Sequence, residues 1–228
     1  MERRLTFLAV LFCALTAIGQ GFTVNDVAFL RQPPSSGVSG AIAWYEGNVG
    51  SFTNDQSGFG HTLTSNDSGQ VLQTNQVNGL PAVLFPAGVP SSYNSNVTNA
   101  QPYQIFLVMS AIPNLGGGFP FEVVSPQQQF LLGFFSINAG LELTSTTIWP
   151  TNKYNYVTGI FNGSSSIIRQ NGVQVVTTGN AGAGTLANQT LQQVTPFDIH
   201  IAEWIICTNL SPSQITNNEN YLKNKYGL

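Results

Sequence analysis

The sequence predicts an all-β, antiparallel sandwich closed by one short C-terminal α-helix. Three observations carry this. Short apolar runs recur between clusters of Gly, Pro, Asn and Ser along the chain, the rhythm of strands and turns. Asn78-Gly79 and Asn171-Gly172 supply the dipeptide that two-residue hairpin turns demand. A full set of helix start and stop signals occurs in the last thirty-odd residues, Phe197–Leu228, directly after a long period-two strand.

The chain of 228 residues begins with Glu2-Arg3-Arg4, an uncharged run Leu5–Ile18, and small residues at Ala17 and Gly19. This pattern is a secretory signal peptide over residues 1–19, cleaved before Gln20. The apolar run is too short to span a bilayer, so no stable membrane anchor is expected after cleavage. The mature chain then keeps 5 basic and 9 acidic residues. That balance argues against nucleic acid as a partner, which would need a basic face. Cys207 is the one cysteine left, so no intrachain disulfide can form, and a single domain over residues 20–228 must be held by its core. Charged residues are 7% of the chain, against roughly 25% in ordinary soluble domains. Asn, Gln, Ser and Thr supply the polarity instead. Such a surface suits a secreted or periplasmic protein that meets neutral polymers, and equally a lineage habit of secreted chains.

Gln20–Val38 reads as an extended lead-in around Pro33-Pro34. Ala41–Tyr45 is the first strand. The apolar stretch into Phe85 follows the Asn78-Gly79 turn. Gln104–Ile112, apolar throughout and bounded by Pro102 and Pro113, is a strand buried on both faces. Asn114–Gly118 is a loop, and Gln129–Ile137 and Gly140–Trp149 form the next pair. Tyr154–Phe161, Ser166–Gln170 and Val173–Thr178 form a meander turning at Asn162-Gly163-Ser164 and Asn171-Gly172. In the last strand, Phe197, Ile199, Ile201, Glu203, Ile205 and Cys207 are assigned to one face. His200, Ala202, Trp204, Ile206 and Thr208 are assigned to the other. Ser211 as N-cap, Pro212 at the first position and Gln214 closing a capping box start the helix; Gly227 ends it. The helix is expected to lie against the strand it follows.

Three segments carry a family resemblance. Ile201-Ala202-Glu203 with Ile205-Ile206, then Asn209-Leu210-Ser211, Ile215, and Tyr221-Leu222 with Lys225-Tyr226-Gly227, form the first. Asp55-x-Ser57-Gly58-x-Gly60 followed by Val77-Asn78-Gly79-x-Pro81-Ala82-Val83-x-Phe85 form the second. Tyr156-Val157-Thr158-Gly159-Ile160-Phe161-Asn162-Gly163-Ser164 with Asn171-Gly172-Val173-Gln174-Val175 form the third. Together they resemble LamG-type jelly-roll domains of the concanavalin A-like lectin/glucanase superfamily, most of all versions in secreted bacterial and phage-associated proteins. The resemblance implies the jelly-roll sandwich. It does not imply a ligand, because that fold hosts lectins, glycosidases, lyases and adhesion modules.

No strong catalytic motif is present. Related glycosidases place carboxylates as Glu-x-Asp-x-x-Glu on one strand, a spacing this chain lacks. Asp198 and Glu203 are five apart, hence expected on opposite faces. Glu142 stands alone in its strand. His200 reads as structural, and Tyr221, Lys223 and Tyr226 fall on the helix rather than on a lyase-like strand. Two histidines and Cys207, far apart, give no zinc spacing. Calcium is the cation the resemblance would allow, with Asp55 as its ligand and Asp67 as a second loop acid; a turn-stabilising role is the competing reading for each. For a glycan, an aromatic plane beside amides is needed. Trp149, Asn152 and Tyr154 fit that description, as do Tyr93 and Asn94. Glu203 is the anomaly: a carboxylate interrupting an apolar face, read as held by backbone amides, a tyrosine hydroxyl or Arg169 rather than as catalytic.

The favoured function is a secreted, non-enzymatic recognition or adhesion module that binds carbohydrate or a cell-surface polymer. The alternatives are a structural subunit of an extracellular or virion assembly, and a carbohydrate-active enzyme, either glycoside hydrolase or polysaccharide lyase, with an unrecognised site.

Overall fold

The computed structural model describes residues 37–47, 52–65, 67–111, 118–124, 127–132, 134–139, 142–148, 152–176, 179–187, 189–193 and 198–228. These belong to one compact unit, Ser35–Leu228. The expected signal peptide, the lead-in up to residue 36, the Asn114–Gly118 loop before Gly118, and Trp149 lie outside the described residues.

In chain order the strands begin with β1 (Ala41–Glu46), β2 (Thr64–Ser65), β3 (Val71–Val77), β4 (Leu80–Phe85) and β5 (Ser91–Asn94). Next come β6 (Tyr103–Ala111), β7 (Gly118–Val124), β8 (Gln127–Leu132), β9 (Phe134–Ala139) and β10 (Glu142–Ile148). The last are β11 (Asn155–Phe161), β12 (Ile167–Gln170), β13 (Val173–Gln174), β14 (Gln189–Gln193) and β15 (Ile199–Thr208), followed by helix α1 (Pro212–Tyr226). One sheet runs β13-β12-β11-β6-β15-β4-β3, with β1 also on β15; the other runs β10-β9-β8-β7-β14-β5-β2. Every strand pairing among the described residues is antiparallel, in line with the antiparallel sandwich expected.

The sandwich core lies between the sheets. Tyr45, Phe85, Tyr103, Ile105, Leu107, Met109, Trp204 and Ile206 fill it from the first sheet, and Tyr93 and Leu191 from the second. A second apolar cluster lies under α1, where Phe106, Val108, Ala202, Ile205 and Cys207 meet Ile215, Leu222 and Tyr226. β6 therefore buries both faces, which is why its sequence is apolar without alternation. Each large side chain that α1 buries contributes about 1.5–3 kcal/mol.

The helix forms where its signals place it. The Ser211 side chain accepts from the Gln214 backbone N–H, Gln214 returns a bond to the Ser211 backbone, Pro212 opens the first turn, and Gly227 closes the helix at φ +67. Both Asn-Gly hairpins adopt positive φ at each position: Asn78 and Gly79 at 47 and 77, Asn171 and Gly172 at 47 and 78. These are type I′ values, the hand that matches strand twist.

Three expectations need correction. Gln129–Ile137 is not one strand but the hairpin β8–β9, with Phe130 opposite Ile137. The third strand of the meander is short: β13 holds Val173 and Gln174 alone. On β15, Ile199 and Ile201 share the core with Trp204 and Ile206, while Ala202, Ile205 and Cys207 lie under α1. The period-two pattern inverts because β15 bulges between Ile201 and Glu203. One extra residue in a bulge flips every side chain beyond it. The bulge falls where β15 exchanges neighbours: β4 pairs with Ile199–Ile201, and β1 with Glu203–Cys207.

Candidate functional site

The bulge turns Glu203 toward α1, where it is fully buried. The Trp44 indole N–H donates to Oε1 at 2.7 Å, and the Tyr226 hydroxyl and Lys225 Nζ each donate to Oε2 at 2.7 Å. Lys225 also bridges to Glu46 and donates to the Tyr221 hydroxyl at 2.8 Å. Its ammonium lies 5.2–6.0 Å from the ring centres of Trp44, Tyr221 and Tyr226, within cation–π range. Glu46 and Glu203 are cross-strand partners sharing one cation, so their carboxylates are no more than about two hydrogen-bond lengths apart. That is near the spacing of a retaining glycosidase. Here a lysine fills the gap and a helix covers it, so no glycosidic oxygen can enter. Burial pushes the Glu203 carboxyl up, against the opposing pull of Lys225 and Tyr226. The tyrosine-hydroxyl support expected from sequence is present. Arg169 is engaged elsewhere: it forms a fork onto Glu219 of α1 at 2.8 and 2.9 Å.

Since α1 seals the first sheet, the outer face of the second sheet is the one that no described helix covers. Register aligns a row of polar residues from strand to strand across the second sheet. Thr64 pairs with Asn94, Asn94 with Thr190, Thr190 with Glu122, Glu122 with Gln129, Gln129 with Asn138, and Asn138 with Glu142. Each member is chain-adjacent to an apolar residue of opposite parity: Leu63, Tyr93, Leu191, Phe121, Phe130, Ile137 and Leu143. Leu63, Tyr93 and Leu191 are in the sandwich core and Leu143 packs against it, so on β2 and β5 the alternate positions Thr64 and Asn94 fall on the opposite face. At about 4.8 Å per strand, Glu122 and Glu142 are three steps and about 14 Å apart.

At its Thr64–Asn94 end the row opens into a depression of about 290 Å³ lined by Thr62, Thr64, Asn94, Ser95 and Asn96. His61 borders it, its Nδ1 2.9 Å from Asn96 Oδ1. Asp55 holds this loop. Its Oδ1 accepts from the N–H groups of Trp44 (3.0 Å) and Ser57 (2.8 Å); its Oδ2 accepts from Ser57 Oγ and the His61 N–H, both at 2.8 Å. Both oxygens are thus committed to protein donors, so Asp55 is a loop staple and the geometry does not present it as a calcium ligand. Asp67 accepts from Ser92 Oγ at 2.7 Å. No cluster of three or more His, Cys, Asp or Glu occurs among the described residues.

The described residues among those expected to bind a ligand fall on different sheets. Asn94 lines the depression. Tyr93 does not: it lies on β5, 9% exposed, packed on Phe52 and Phe85. Ser91–Asn94 is a strand, not a loop, and its parity turns the ring inward. Asn152 and Tyr154 belong to the entry of β11 on the other sheet. Tyr154 is half-buried, its ring 6.4 Å from that of His200, its hydroxyl enclosed and pushed up to about 12 by burial. His200 bonds Gln73 Oε1 through Nε2 at 3.1 Å, and burial lowers it. Asp198 accepts from the Ala87 N–H at 2.8 Å. The bulge removes the parity reason for separating Asp198 from Glu203, but these partners keep them in different networks. Phe59, His61, Thr62, Thr64 and Asn96 were not singled out by sequence; Asn94-Ser95-Asn96 and Gly58-Phe59-Gly60 were the signals available.

No family model and no curated protein matches this chain. Solved structures do. Domain 4 of AbnA, a GH43 extracellular arabinanase from Geobacillus stearothermophilus, in complex with arabinotriose, is 16% identical with a TM-score of 0.61, covering 79% of this chain and 98% of that one. The binding domain of botulinum neurotoxin DC in complex with SialylT is 13% identical with a TM-score of 0.63, covering 82% and 52%. Trypanosoma rangeli sialidase in complex with sialic acid is 10% identical with a TM-score of 0.55, covering 82% and 33%. The chain therefore spans about half of the neurotoxin domain and a third of the sialidase. At these identities the likeness concerns fold alone: the chain is a concanavalin A-like antiparallel β-sandwich with one C-terminal helix.

Proposed function

We propose that the protein is a secreted, non-enzymatic carbohydrate-recognition module of LamG type, released after removal of residues 1–19. The observation that carries this is the unbroken polar row Thr64–Asn94–Thr190–Glu122–Gln129–Asn138–Glu142 across the second sheet. The register sets amide-, hydroxyl- and carboxylate-bearing residues one after another along about 29 Å of sheet, a sequence pattern suited to an extended glycan or cell-surface polymer. The AbnA domain bound to arabinotriose and the neurotoxin domain bound to SialylT lend support, as each pairs a similar fold with a sugar. Purified protein screened on a glycan array, with and without calcium, should bind at least one oligosaccharide class, with no calcium requirement at Asp55. Uniform lack of binding would sink the reading.

One observation favours a second reading, a subunit of an extracellular or virion assembly. β3 is an edge strand of the first sheet, uncharged, with Val71 and Leu72 exposed, and such edges invite pairing with another chain. Analytical ultracentrifugation of the same preparation separates the two: concentration-dependent oligomers together with a blank array would favour assembly.

A further inference from the structure

Five large apolar side chains stand exposed among the described residues, and Phe59, at 66%, is the aromatic one. It sits between Gly58 and Gly60, at φ +87 and +79. A Cβ at either glycine would meet nothing within 4 Å, so these glycines are required by backbone conformation, not by crowding. The loop is nonetheless fixed on both sides. Besides the four bonds to Asp55, Ser57 Oγ donates to the Ile42 carbonyl at 3.1 Å, the Gln56 N–H donates to the Trp44 carbonyl at 2.7 Å, and the Tyr45 hydroxyl donates to the His61 carbonyl. A loop tied this firmly to β1 holds a bare aromatic ring in water. Single exposed apolar residues are common, but a rigidly displayed ring gives up little entropy on binding.

Three residues beyond the ring, at Thr62, the chain enters the depression. Its lining is all amide and hydroxyl: Thr62, Thr64, Asn94, Ser95 and Asn96. His61 adds a ring nitrogen, Nε2, beside this lining, its Nδ1 being engaged with Asn96 Oδ1. No cation stands nearby among the described residues. Arg169 and Lys225 are bound to acids beneath α1, Lys223 is on α1, and Lys153 precedes β11 on the other sheet. The row that runs into the depression carries two carboxylates, Glu122 and Glu142.

We propose that the Gly58–Phe59–Gly60 tip and the His61–Asn96 depression form a stacking subsite for a neutral sugar residue at the end of the polar row. This rests on the carbohydrate-recognition reading above and adds where the sugar stacks and which charge it lacks. The C–H face of a pyranose or furanose ring packs on Phe59, and its hydroxyls exchange hydrogen bonds with Asn94, Asn96 and the threonines. A sialic or uronic acid would bring a carboxylate to a place where no cation stands among the described residues.

Isothermal titration of purified protein against neutral arabino-, xylo-, cello- and galacto-oligosaccharides, and against sialylated and uronate oligosaccharides, tests this. A neutral ligand should bind, Phe59→Ala should weaken it about tenfold, and Phe59→Trp should keep it, with unchanged thermal unfolding in both. Equal binding by wild type and Phe59→Ala would overturn the subsite and leave the recognition reading standing. Binding confined to the acidic sugars would overturn the neutral preference. No binding by any sugar would overturn the recognition reading, and the subsite with it.

Discussion

Replacing Lys225 by methionine should destabilise the protein by about 3–5 kcal/mol near neutral pH, the usual cost of stranding a buried charge. The ammonium is the one cation between Glu46 and Glu203. Without it two carboxylates on adjacent strands face each other with only the indole of Trp44 and the hydroxyl of Tyr226 as donors to Glu203. Such a pair cannot keep both charges at low cost. The loss should therefore shrink toward pH 4, where protonation relieves it, and a second change, Glu203→Gln, should recover part of it at pH 7. Urea unfolding at both pH values reads this out. A Lys225→Met protein within about 1 kcal/mol of wild type at pH 7 would mean the network is solvent-screened, like an exposed ion pair.

The same network sets a pH dependence in the wild type. Burial raises Glu203 above its unfolded value, which is about 4.3. A group raised on folding binds its proton more tightly in the native state. Its contribution is fully present below the unfolded value and is lost as pH rises through the folded value. Glu203→Gln removes that titration while keeping the shape. Between pH 4 and pH 8 the melting temperature of Glu203→Gln should thus improve relative to wild type. A gap moving the other way would show that Lys225 and Tyr226 outweigh desolvation.

Much of the fold was written locally. Ser211, Pro212, Gln214 and Gly227 act within one turn of themselves, and Asn-Gly turns act within two residues, so reading them requires no tertiary knowledge. Two of the strands that were missed share a different property. Ser91-Ser92-Tyr93-Asn94 and Gln189-Thr190-Leu191-Gln192-Gln193 each carry a single large apolar residue, because only one parity faces the core and the other belongs to the polar row. Period two cannot be recognised from one apolar point. The Glu203 anomaly was visible, but its direction was not, since the bulge at Ala202 arises where β15 passes from β4 to β1, a fact of strand order. The candidate site suffers from the same non-locality. Its row draws on seven strands, and while β7, β8, β9 and β10 follow one another in the chain, β2, β5 and β14 at the depression end come from distant segments.

Arg169→Met should cost about 3–5 kcal/mol and should leave sugar binding unchanged. Arg169 donates to both oxygens of Glu219 and, at 2.6 Å, to the Gly172 carbonyl in the type I′ turn. Thr158 Oγ1 adds a bond to Glu219 at 2.8 Å. This staple fastens α1 to the β11–β12 hairpin, and sequence reasoning did not foresee it: Ile215, Asn218, Glu219, Leu222 and Tyr226 form one buried stripe in which two members are polar. The two halves of the pair are not equivalent. Glu219 is almost fully buried, whereas the Arg169 side chain keeps 25% of its surface. Removing the arginine leaves a carboxylate inside with one neutral donor; removing the glutamate leaves a guanidinium that can turn its head toward water along an apolar stem. Arg169→Met should therefore be worse than Glu219→Ala, and the double variant should cost less than the sum by about 0.5–3 kcal/mol. All of this sits on the first sheet. The polar row and the Phe59 loop use the second sheet and β1, so at a temperature where the variant is folded its sugar affinity should match wild type. Equal losses for the two single changes, measured by urea unfolding, would show that the pair is screened on both sides. A parallel loss of sugar affinity would show that the two faces of the sandwich are coupled.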